Sequence, residues 1–94
     1  MEQKNIKGYI YKITNIQNNM SYIGKTTYAD VQKRFNQHIY YALNTKGGKP
    51  NSLHQAIRDF GVENFIIEII ETVFEPDSLE QKEKENILLY IIHG

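Results

Sequence analysis

The sequence contains no cysteine. This excludes disulfides, thiolate nucleophiles and cysteine-ligated zinc, and it suits an intracellular setting. No apolar run approaches the ~18 residues of a membrane span. The opening Met-Glu-Gln-Lys-Asn lacks the basic-then-apolar layout of a signal peptide, so no membrane association is expected. Internal repeats and low-complexity tracts are absent as well. The chain also has no net charge, with eleven basic residues against eleven acidic ones. Taken alone, that argues against a polyanionic partner, because nucleic-acid-binding domains are usually basic.

The chain of 94 residues is 40% hydrophobic, ordinary for a globular protein and short enough to be read as a single domain over residues 1–94. At this length a chain buries roughly 60–65% of its unfolded surface, so the core must be compact. The zero charge is a cancellation. Residues 1–50 carry eight basic groups against two acidic ones, a net +6, and residues 51–94 carry three against nine, a net −6. Folding either mixes the halves into a patchwork or presents one charged face.

Residues 8–14 and 20–24 are rich in β-formers, and the intervening Asn15-Ile16-Gln17-Asn18-Asn19 has the composition of a tight turn. Together they predict a hairpin. Thr27, with Asp30 three residues on, predicts a helix start, and Val31, Phe35, Ile39 and Ala42 carry the helical period to about Leu43. Residues 45–51 read as a loop, whose Gly-Gly-Lys lacks the spacing of a nucleotide-binding P-loop. Asn51 or Ser52 caps a second helix with Leu53, Ala56, Ile57 and Phe60 on one face, stopped by Gly61. Phe65–Val73 is almost continuously apolar and β-branched, which predicts a central strand covered on both faces. Ser78, with Gln81 three residues later, begins a last helix reaching about Ile92. The order β-β-α-α-β-α predicts an α+β domain, a small three-stranded antiparallel sheet flanked by helices.

Polar groups fall on lines that the periodicity marks as core. Tyr9, Tyr11 and Ile13 share one face of the first strand, and a hairpin brings Tyr11 close to Tyr22, with Gly24 leaving the backbone beside them uncrowded. Arg34 and His38, four residues apart, abut the Val31–Phe35 stripe. In the last helix Leu79, Glu83, Ile87 and Tyr90 form the inward line, whereas Glu80 lies off it and Glu85 faces solvent. A carboxylate on an apolar stripe either pairs with a cation such as Arg34 or ligates a metal. Singly, each of these residues is explained as core or rim. Collectively they form a possible phosphodiesterase kit: a carboxylate for a divalent cation, Arg34 and Lys25 for charge developing on phosphorus, and a tyrosine as base if nearby cations lower its pKa. No second inward carboxylate suits a two-metal site, so one metal is expected.

At these positions the sequence resembles the GIY-YIG nuclease family. Gly8-Tyr9-Ile10-Tyr11 matches the first motif, with Tyr9 where the name-giving glycine usually stands, and Tyr22-Ile23-Gly24-Lys25-Thr26 matches the second. Arg34-x-x-x-His38, the spaced set Leu53, Ala56, Ile57, Gly61 and Phe65, and Leu79-x-x-x-Glu83 follow in order, so the resemblance covers about residues 8–91.

The resemblance implies a metal-dependent DNA endonuclease module, similar in flavour to phage and intron homing endonucleases, that leaves a 5′-phosphate and a 3′-hydroxyl. It implies that Glu83 ligates a single Mg²⁺ or Mn²⁺, with Glu85 as the fallback if the helix is registered differently. Tyr11 or Tyr22 deprotonates the attacking water, Arg34 and Lys25 hold the scissile phosphate, Lys12 joins them in binding substrate, and His38 assists proton transfer. A neutral chain binds DNA weakly, so a further DNA-binding domain or a partner is expected to supply targeting. Family members often continue into an asparagine-containing segment that orders the site, whereas this sequence ends at Ile92-His93-Gly94. The alternative is a catalytically weak or silent DNA-binding or protein-interaction module of the same fold. For the active module, a positive cleft around Tyr11 and Arg34, backed by an acidic surface, is expected.

Overall fold

A computed structural model describes residues 5–44 and 52–93, with side chains in the last helix described as far as Leu89. The expected loop at 45–51 and the expected inward position of the Tyr90 side chain lie outside the described residues.

Strands β1 (Ile6–Asn15) and β2 (Ser21–Thr26) form the expected antiparallel hairpin. The asparagines make its turn. Asn15 Oδ1 accepts the Gln17 N–H at 2.9 Å, Asn18 Oδ1 accepts the Met20 N–H at 2.9 Å, and Asn19 takes the left-handed φ of 61° that asparagine tolerates. Strand β3 (Phe65–Phe74) pairs antiparallel along the other side of β1, giving the order β2-β1-β3. The central strand is therefore β1, and the expectation that Phe65–Val73 would be central is corrected. An apolar, β-branched run signals a strand but not how many neighbours it has. Ile66 and Ile69 of β3 are 53% and 44% exposed, as an edge strand allows. The β1–β3 register slips between Ile10, which faces Glu71, and Tyr11, which faces Ile69. Such a bulge increases the local twist, here beside Tyr11.

Helices α1 (Val31–Asn44) and α2 (Leu53–Phe60) pack together on one face of the sheet, and α3 (Leu79–His93) packs against β1 and β2 on the other. The N-cap of α1 is Asp30, not the expected Thr27. The Asp30 carboxylate accepts the Gln32 N–H at 3.0 Å, whereas residues 27–29 carry the chain from the sheet edge to the helix. A carboxylate there also suits the positive end of the helix dipole. Ser52 caps α2 through the Gln55 N–H at 3.2 Å, and Ser78 serves the Gln81 N–H at 3.2 Å before α3. Gly61 ends α2 at φ 89°, a conformation that favours glycine.

The core under α1 and α2 joins Tyr11, Ile13, Phe35, Ala42, Ala56, Ile57 and Phe65. Ile10 and Val73, also buried, occupy the alternate strand positions and turn with Gly8 toward Leu79 of α3. Each fully buried isoleucine contributes about 1.5–3 kcal/mol of hydrophobic stabilisation. The α+β class and the order β-β-α-α-β-α are those the sequence predicts. Among the described residues, no helix is long and apolar enough to cross a membrane.

Candidate active site

Tyr11 sits mid-strand on the helix-covered face of the sheet, 3% exposed, directly across from Gly24. A Cβ at Gly24 would overlap the Tyr11 ring and hydroxyl. The glycine thus leaves a lane along which the phenol crosses β2. The lane points at α1, where the Tyr11 hydroxyl meets His38 Nε2 at 2.9 Å, the rings edge-to-face with centroids 6.1 Å apart. Arg34 lies one turn earlier on α1, near enough for its charge to act on the phenol, and its Nη1 donates to Gln37 Oε1 at 2.9 Å. The i, i+4 spacing of Arg34 and His38 brings both to this phenol, as the periodicity predicts.

Two opposing effects act on the phenol. Burial and, to a lesser degree, the Glu83 carboxylate push its pKa up, while the Arg34 guanidinium and, more weakly, Lys25 pull it down, and the upward effects prevail. His38 is driven down to about 4, first by burial and then by the positive charges of Arg34 and His54. Near neutral pH the pair is an un-ionised phenol against an un-ionised imidazole.

The opposite face of the sheet supplies charge. Lys25 of β2 extends to Glu83 of α3, Nζ to Oε1 at 3.2 Å. Glu83 is the inward carboxylate that helical periodicity selects, with 20% side-chain exposure, whereas Glu85 is 52% exposed and held by Lys82 at 3.6 Å. Glu83 is paired with Lys25, so an Arg34–Glu83 bridge does not account for the two charges. The inward line of α3 also differs from expectation. Asn86 is buried on it, donating to Glu71 Oε1 and to the Lys82 carbonyl, each at 2.8 Å, while Ile87 is 38% exposed. A buried asparagine with both bonds made costs little, and nothing in an apolar period reveals it.

Arg34 from the first set and Lys25 from the second meet at the β2 edge. A cleft of about 320 Å³ is lined there by Lys25, Thr26, Thr27, Tyr28, Arg34, Gln37 and Leu79. Neither Tyr11 nor Tyr22 is among its lining residues, and Tyr22 lies elsewhere. Its ring packs against the core and lines a separate cavity with Asn18, Met20, Gln55 and Phe60, and burial raises its pKa too. Lys12 points to the α3 face and pairs with Glu68 of β3 at 3.2 Å. With Lys25 on Glu83, two lysines of the basic half are matched by carboxylates of the acidic half. Part of the charge asymmetry is therefore interleaved.

The sequence reading missed His54. It lies on α2 with Nε2 3.1 Å from His38 Nδ1, and Tyr41 of α1 stacks on its ring at 6.4 Å and 26°. Its place beside Leu53 was the available signal, but only the α1–α2 packing joins it to His38.

Among the described residues no group of three ligating side chains gathers for a metal. The donor set offers one carboxylate, Glu83, whose Oε2 carries no hydrogen bond among these residues. That fits a hard divalent cation of the Mg²⁺ type, which keeps several waters and takes one or two protein carboxylates plus substrate phosphate.

The GIY-YIG catalytic domain family matches residues 7–90. Among solved structures, the chain is similar to the catalytic domain of the intron endonuclease I-TevI in a mutant form. The identity is 25% and the TM-score 0.69, over 87% of this chain and 81% of that one. It is likewise similar to the catalytic domain of the homing endonuclease I-TevI, at 26% identity and TM-score 0.66, over 86% and 85%. No curated protein matches the chain.

Proposed function

We propose, on the premise that this chain belongs to the GIY-YIG catalytic-domain family and is a nuclease of that class, that it hydrolyses DNA phosphodiester bonds with Tyr11 as the base. Nucleases of this family are generally dependent on a divalent metal. We assign Mg²⁺ or Mn²⁺ to Glu83, and one domain to the whole chain.

The observation that carries the reading is the hydrogen bond between Tyr11 and His38, beside Arg34. A phenol whose pKa is raised by burial holds its proton at neutral pH, so it accepts a proton from water only while giving up its own. His38 Nε2 is 2.9 Å away, and an imidazole with a pKa of about 4 is un-ionised and free to accept. Arg34, in the cleft wall, binds the scissile phosphate and offsets charge gathering on its oxygens. Lys25 extends the same positive wall. A divalent cation bound at Glu83 would supply Lewis-acid polarisation of a phosphate oxygen. Among the described residues it is Tyr11, and not Tyr22, that hydrogen-bonds to His38, which supports Tyr11 over Tyr22. Lys12, paired with Glu68 on the other face, is given no substrate role. With two lysines tied in ion pairs, non-specific DNA affinity is weak, and targeting falls to a further DNA-binding domain or a partner.

Nicking of supercoiled plasmid tests this reading. The parent is expected to nick with Mg²⁺ or Mn²⁺ and not in EDTA. Glu83→Ala is expected to reduce nicking by about 10²–10³-fold, a loss of several kcal/mol of transition-state stabilisation. Equal nicking by variant and parent would remove the metal from Glu83. No nicking by the parent with either ion would favour a silent DNA-binding module of the same fold.

A further inference from the structure

We propose that His54 of α2 is a positioning residue for Tyr11 and the exit for its proton, the last member of a hydrogen-bonded line that runs from the Tyr11 hydroxyl through both nitrogens of His38 to solvent. The inference rests on reading Tyr11 as the base. Its geometry is continuous: Tyr11 hydroxyl to His38 Nε2, 2.9 Å; His38 Nδ1 to His54 Nε2, 3.1 Å. The His38 and His54 ring centroids are 5.3 Å apart. Tyr41 stacks on the outer side of His54 and restricts its ring. Both rings are half-buried, His38 the deeper of the two, so the line leads outward.

His38 cannot store a proton well. Burial, the Arg34 guanidinium and the neighbouring His54 all disfavour the imidazolium. A proton entering at Nε2 must therefore be matched by one leaving at Nδ1, and His54 Nε2 is placed to take it. In the resting state Tyr11 O–H donates to His38 Nε2, and His38 Nδ1–H donates to His54 Nε2. As water attacks, its proton passes to the Tyr11 oxygen. The phenolic proton moves to His38 Nε2, the Nδ1 proton moves to His54 Nε2, and His54 Nδ1 releases one proton to solvent. One proton enters and one leaves, and both imidazoles finish neutral. The leaving oxygen, in line on the far side of phosphorus, takes its proton from solvent. The reverse passage after product release, with Tyr11 giving a proton to water and one entering at His54 Nδ1, restores the starting tautomers.

The groups facing His54 are Arg58 on its own helix, Arg34, His38 and Tyr41 on α1, and Tyr11 of β1 through His38. Burial, then Arg58 and Arg34, lower its pKa. Once protonated, His54 has no acceptor at Nε2 and the line closes. Activity therefore falls with acid along a limb lying below the ordinary histidine value of about 6.5.

His54→Gln keeps an acceptor for His38 Nδ1–H but cannot pass a proton on. Proton-transfer groups typically contribute ~10²–10⁴-fold, and His54→Gln is expected to lower kcat for plasmid nicking by about 10–100-fold, to leave KM unchanged, and to erase the His54 acid limb. His54→Ala is expected to recover with added imidazole. Parent-like kcat and pH profile in His54→Gln would overturn the proposal. A second measurement needs no nuclease activity: imidazole ¹⁵N shifts of the parent are expected to place the His38 proton on Nδ1 between pH 6 and 8, and a proton found on Nε2 would overturn the line. A parent that does not nick defeats the nuclease reading, while the ¹⁵N result still decides the hydrogen-bonded line.

Discussion

The two faces of the sheet solve opposite electrostatic problems. Under α1 and α2, Tyr11, His38 and His54 form a line of neutral groups, each pushed away from its charged form, with Arg34 as the adjoining cation. Under α3 the same strands carry ion pairs, Lys25–Glu83 and Lys12–Glu68, with Lys82 between Glu71 and Glu85. The contrast follows from the strand period. Tyr11 and Gly24 turn one way and Lys25 the other, so a one-residue alternation separates the proposed proton line from the ion pairs. A neutral relay works by staying out of water, whereas a cation site needs an ionised carboxylate that solvent can reach. Arg34 from one face and Lys25 from the other share the wall of the cleft at the β2 edge.

The largest effect expected from breaking this contrast comes at Tyr11. Removing the hydroxyl with Tyr11→Phe leaves the ring to fill the lane over Gly24 but deletes the proton acceptor. It is expected to lower kcat by about 10²–10⁴-fold, with little change in the unfolding midpoint. Tyr22→Phe, in the separate cavity, is expected to leave kcat nearly unchanged in the same plasmid assay. The reverse ranking would move the base to Tyr22 and dissolve the assignment of proton transfer to the α1 side.

Gly24 tests the same face through packing. Alanine there places a methyl on the Tyr11 ring, and overpacking of this kind costs about 1–3 kcal/mol. Urea unfolding of Gly24→Ala is expected to show that loss. In a Tyr11→Leu background the same alanine should cost measurably less, because the two positions share one space. Equal costs in both backgrounds would mean that the lane is not what selects glycine.

Gly24 also marks how far the sequence could be read. Its nearness to Tyr11 follows from hairpin register, and the Arg34–His38 spacing follows from the helical period, so this part of the site was legible. Glu83 over Glu85 was legible for the same reason. What sequence could not show depends on the third dimension. The apolar run of β3 concealed that β1 is the strand with two partners. The Thr27–Asp30 spacing suggested a cap one turn too early, because the chain first has to leave the sheet edge. Asn86 is satisfied by Glu71, from a distant strand. His54 gains meaning only once α2 packs on α1, since no local period links it to His38.

The smallest expected effect concerns stability. In an unfolded chain His38 titrates near 6.5, and in the fold near 4. Between these values the unfolded chain binds more protons than the folded one, so folding stability is complete above pH ~6.5 and declines as the pH drops toward 4. The His38 ring is partly exposed, and after allowance for solvent screening the decline it causes is about 1–2 kcal/mol. His38→Gln removes this titration while leaving the carboxylates and His54 in place. The parent-minus-variant stability, from urea unfolding at successive pH values, is expected to fall between pH 6.5 and 4 and to be level above. A difference that stays level throughout would mean that His38 binds protons as readily in the fold as out of it. The α1 side would then hold a charge as easily as the α3 side, and the neutral line from Tyr11 would lose the physical reason for passing its proton onward.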